Sequence, residues 1–80
     1  MDEIEREQLI DEFFFLTIKY YRLRQDVEAY YRLKNDFNFP SKTAEETAKQ
    51  LHSEAETEEH RLSKRLKDIR EAFIEDIYPP

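Results

Sequence analysis

His52, Glu56 and His60 recur at every fourth residue, and two imidazoles with a carboxylate are a ligand set that zinc accepts. On a helix His52 and His60 stand two turns apart, roughly 12 Å, so one ion does not reach both. A metal at Glu56 and His60 would need ligands from another chain, and the Glu-x-x-His signature of di-iron bundles is missing. The expectation is two solvent-exposed histidines and no metal.

Arg22, Arg24, Lys34, Arg61 and Arg65 are the next set, because helical enzymes can hold anions in cationic pockets between helices. They scatter around the helices and converge on no point, and no serine or threonine has a base beside it. No catalytic, cofactor-binding or metal residue is assigned, and an enzyme is not expected. A small helical enzyme with a cationic interhelical pocket stands as the most distant alternative.

YYRLRQDVEAYYRLKND, residues 20 to 36, interleaves tyrosine and arginine as stacking sites for single-stranded nucleic acid do. A net charge of −6 opposes that use, since phosphate attraction needs an unopposed basic face. Direct nucleic-acid binding is therefore not expected. The charge sign suits the reverse role better, an acidic inhibitor that mimics nucleic acid to block a DNA-binding protein. The thirteen lysines and arginines dilute any phosphate-like spacing. Mimicry is the alternative, not the leading reading.

The elements that must position these residues follow from composition and period. Glycine and cysteine are both absent. The first removes phosphate-cradling loops and tight hairpin turns; the second removes disulfides and thiolate metal sites and fits a cytoplasmic protein. Forty percent of the residues are charged, yet five tyrosines and six phenylalanines exceed what a disordered acidic chain carries. FFFLTI falls far short of the ~20 apolar residues that span a bilayer, and the acidic start MDEIEREQ is unlike a secretory signal.

Two long helices are expected, about 2–35 and 42–77, in a single domain 1–80 with a hinge at about 35–41. In the first, Leu9, Phe13, Leu16, Tyr20, Leu23, Val27 and Tyr30 alternate at spacings of four and three, a heptad seam that continues through Lys34 and Phe37. The two YYRL copies are ten residues apart, a rotation of about −80°, so they present different faces of one helix. Arg22 with Asp26, Arg24 with Glu28, and Arg32 with Glu28 or Asp36 have i,i+4 pairing distance. Asp2 with Glu5 suits a helix start.

NDFNFPS then interrupts the pattern. Asn35 or Asn38 is expected in a left-handed turn, Pro40 to end helical geometry, and Ser41 or Thr43 to cap the second helix. Phe37 and Phe39 read as a plug over the end of the pair. The second helix carries Ala44, Ala48, Leu51, Ala55, Leu62, Leu66, Ile69, Phe73 and Ile77, several of them eleven apart, a period that tracks a nearly straight helix. Pro79 and Pro80 prevent its extension.

Size and charge both favour an antiparallel hairpin. The early alanines of the second helix would face Val27, Tyr30 and Tyr31, large opposite small. The basic stretch 19–34 would lie along the acidic stretch 45–59, and the basic stretch 61–70 would approach the acidic N-terminal region. Lys34, Glu58 and Arg65, on or near the seam, would fix register.

Helix one holds more apolar surface than a hairpin uses. Ile10, Phe14, Ile18 and Tyr21 make a second stripe, with Phe15 on another side, so these five are the expected dimer or partner interface. The fold class is all-α, a two-helix hairpin pairing into a dimeric four-helix bundle, a coiled-coil-like homodimer. At the open end Glu3, Glu7, Asp11, Glu71, Glu75 and Asp76 form an acidic patch suited to docking a further protein with a basic or apolar surface. The leading expectation is a non-enzymatic protein–protein interaction module, a small adaptor, regulator or inhibitor with no cofactor.

Overall fold

Capping fixes where each helix begins. Asp2 accepts a hydrogen bond at its carboxylate from the Glu5 N–H (2.8 Å), one of the donors a helix start leaves unpaired. Ser41 does the same for the second helix, its hydroxyl accepting from the Ala44 N–H at 3.1 Å. Of the two capping candidates the structure uses Ser41; Thr43 lies inside the helix, and its carbonyl accepts from the Thr47 hydroxyl. Ser41→Ala should therefore cost about 1 kcal/mol in a urea melt. Thr43→Ala should leave the midpoint within error, and equal losses would contradict the assignment.

The computed structural model describes residues 1–36 and 38–77. Within it the chain forms two helices, α1 (Glu3–Asp36) and α2 (Lys42–Ile77), packed on each other. The expected plug residue Phe37 and the stop at Pro79 and Pro80 lie outside the described residues. Phe39 is half-buried at the closed end, in a cleft with Tyr30, Leu33, Ala44 and Leu51. The expected left-handed turn is absent at Asn35 and Asn38, since no described residue has a positive φ. Asn35 stays helical, and its side-chain amide donates to the Tyr31 carbonyl at 3.0 Å, one turn back along α1.

The pairing is antiparallel. Arg6 meets Asp76, Glu12 meets Arg65, Arg24 meets Glu59 and Lys34 meets His52, so positions climbing α1 descend α2. The chain measures 55 × 22 × 15 Å, as two helices of about 50 Å side by side would at 1.5 Å per residue. On α1 the expected seam from Leu9 to Lys34 is half-buried or buried throughout, with Val27 deepest.

On α2 the observed seam departs from the expected one. Ala48, Ala55, Leu62, Leu66 and Ile69 are buried as expected, but Leu51 and Ile77 are exposed. The buried line runs through 48, 52, 55, 59, 62, 66, 69, 73 and 76, a heptad alternation of four and three and not an eleven-residue repeat. Three of its members are polar: His52, Glu59 and Asp76.

Each polar seam residue has a cation from α1. Lys34 Nζ lies 3.4 Å from His52 Nδ1, Arg24 donates to Glu59 at 2.8 Å and Arg6 donates to Asp76 at 2.8 Å. Such pairs add little stability near the surface, but a slipped register would strand all of them. The seam is zipped by polar pairs at both ends and the middle, with aliphatic packing between.

Candidate interaction surface

The chemistry candidates come first. His52 is not solvent-exposed as expected; it is 7% exposed, while His60 is exposed. His52 Nε2 is 2.8 Å from Glu56 Oε1 and its ring is tilted against Tyr31 at 5.9 Å. The two ring nitrogens thus face a cation of α1 on one side and a carboxylate one turn along α2 on the other. Those contacts anchor the closed end of the hairpin. Among the described residues no three His, Asp or Glu side chains gather as metal ligands.

The cationic set is dispersed by use. Arg24 and Arg65 cross to carboxylates of the opposite helix and Arg61 pairs with Glu58 on its own. Arg24 thus takes Glu59, not the expected Glu28, because the cross-helix partner lies closer to the half-buried seam. Arg32 keeps its expected partner Glu28 at 3.5 Å.

The interface candidates stand together in solvent. Phe14, Phe15 and Tyr21 are each about two-thirds exposed by value (63%, 66% and 66%), Ile18 is 57% and Ile10 39%. Between the helices at the open end, Ile10, Phe13, Phe14, Arg70, Phe73 and Ile74 line a shallow groove of about 600 Å³. Ile74 is a residue that sequence reasoning missed; it sits beside the seam residue Phe73, and its spacing to Ile77 was the available signal.

Charge frames this groove unevenly. Glu3, Glu7, Asp11, Glu71 and Glu75 are exposed, and Lys67 approaches Glu71 at 3.9 Å. Asp76 stands apart from the other five. It is held by Arg6 and by the Met1 amino group at 3.0 Å, so it belongs to the hairpin's own seam and is not free to dock a partner.

Three carboxyls are held below their ordinary pKa range by these contacts. Asp76 is lowered by hydrogen bonds from the Met1 ammonium and Arg6, Glu12 by hydrogen bonds from Arg65, and Glu58 by the Arg61 hydrogen bond with a smaller share from Lys19. A carboxyl lowered in the folded state stabilises fully above its ordinary pKa and loses that stabilisation as pH falls through its folded value. The melting temperature should stay level down to about pH 5 and fall below about pH 4, and Glu12→Gln should flatten part of the fall. High salt should shrink the difference between the two proteins. A melting temperature that climbs on acidification would contradict this.

No described helix is long and apolar enough to cross a membrane. No known protein family, curated protein or solved structure matches the chain. The class that fold and surface define is an all-α helical hairpin with an uncovered apolar face.

Proposed function

We propose that the chain is a non-enzymatic protein–protein interaction module that works as a homodimer of helical hairpins in a four-helix assembly. The apolar stripe Ile10, Phe14, Ile18 and Tyr21 is the self-association surface. Glu71 and Glu75, exposed at the open end of α2, are left for a further protein with a basic or apolar surface.

The observation that carries this reading is uncovered area. The chain exposes 6610 Å², against about 5,200 Å² for a compact monomer of its 9.8 kDa mass. The excess, about 1,400 Å², exceeds the about 800 Å² per partner of a standard stable interface. A slab one helix thick has this excess by construction, and pairing with a second copy covers part of it.

Light scattering across a concentration range tests the proposal. Twice the chain mass, falling to one chain mass on dilution, is the expected result. A single-chain mass throughout would sink the homodimer and leave the stripe to a different protein.

A further inference from the structure

The stripe specifies how two copies meet. Eight large apolar side chains are exposed on α1 (Ile4, Ile10, Phe14, Phe15, Ile18, Tyr21, Tyr31 and Leu33) against three on α2 (Leu51, Ile74 and Ile77). The helix with uncovered apolar surface belongs at the centre of an assembly, and the one with a polar back belongs outside. Self-association by α1 satisfies this; self-association by α2 does not.

On the outside of α1, Glu7, Asp11, Phe14, Ile18, Tyr21 and Gln25 follow at spacings of four and three, and all are exposed. This is a second heptad line, with acid at one end. A parallel, in-register pair would set Glu7 on Glu7 and Asp11 on Asp11. It would also crowd Asp2, Glu3 and Glu5 of both copies at one end.

An antiparallel pair centred level with residue 16 does the reverse. Phe14 then faces Ile18 of the second copy, and Glu7 faces Gln25. Asp11 and Arg22 are eleven residues apart, about three turns, so they share one flank of the stripe and meet across the two-fold axis. Ile10 and Tyr21, also eleven apart, share the other flank and meet in the same way. Among the described residues neither Asp11 nor Arg22 has an ion-pair partner within the hairpin. Charge, apolar size and spacing thus select one arrangement.

We infer that the homodimer forms by antiparallel packing of α1 on α1 of a second copy, in the order α2–α1–α1–α2, with two Asp11–Arg22 ion pairs flanking a Phe14–Ile18 core. This rests on the homodimer reading above and adds its orientation and register.

The absence of cysteine makes the test direct. Glu7→Cys and Gln25→Cys alter exposed positions only, and each protein is first confirmed dimeric by light scattering. Oxidation of the two variants mixed should give a cross-linked pair, while either alone should not, since disulfides need Cβ atoms about 4 Å apart. Cross-linking of each variant with itself would overturn the antiparallel arrangement, and a dimer that cross-links in no combination would overturn the register. A chain that stays monomeric fails the parent proposal instead. As a second reading, Asp11→Arg and Arg22→Asp should each raise the dimer Kd about tenfold, because each reverses two pairs. The double variant should return to within about threefold of the original. Additive losses would overturn the proposed pairing.

Discussion

Phe14→Asp yields a monomer at concentrations where the unaltered protein is dimeric. The side chain is 63% exposed in the hairpin, so its replacement costs the intrachain core little. In the proposed dimer it is covered twice, once per copy. At about 2 kcal/mol for each buried aromatic side chain the loss is about 4 kcal/mol, or about 1,000-fold in Kd. Leaving a carboxylate against Ile18 adds to the loss. Sedimentation or light scattering reads the change, and circular dichroism checks that the helices persist. Ile77→Asp is the matched control, 65% exposed and on α2, the helix that the proposed dimer leaves outside. It should shift Kd by less than about tenfold. If Phe14→Asp remains dimeric, the stripe is not the interface, and equal effects from both variants would mean that helix damage, not lost contact, is being measured.

The α1 seam was legible in the sequence because its residues from Leu9 to Tyr30 are all apolar and their spacing alone reveals them. The antiparallel orientation was legible through charge blocks, which the Glu12–Arg65, Lys19–Glu58 and Arg24–Glu59 pairs realise. The α2 seam was not. His52, Glu59 and Asp76 occupy seam positions because Lys34, Arg24 and Arg6 reach them from the other helix. A periodicity count on one helix cannot see a partner on another, so it passed over these three and enlisted Leu51 and Ile77. Asp76 entered the acidic patch for the same reason. The stripe on α1 was legible as apolar surplus, and Ile74 was not because it stands next to a seam residue and looks like part of it.

Ile69→Ala should destabilise the hairpin more than any other single aliphatic truncation. Ile69 is 1% exposed and is the most buried large side chain among the described residues. Truncation removes its transfer free energy and leaves a cavity between two rigid helices, together about 2–5 kcal/mol. A small domain holds only about 5–15 kcal/mol in total, and a two-helix chain lies toward the lower end. The urea midpoint should therefore fall steeply, and more so at low protein concentration, where association no longer favours the folded chain. Ile74→Ala makes the same chemical change five residues on, at a side chain 58% exposed. Its intrachain cost should stay within about 0.5 kcal/mol. Because the two substitutions delete identical atoms from one helix, helix propensity cancels and the difference isolates burial against α1. Equal losses would mean that the seam through 66, 69 and 73 is misplaced, and with it the face of α1 left free for a second copy.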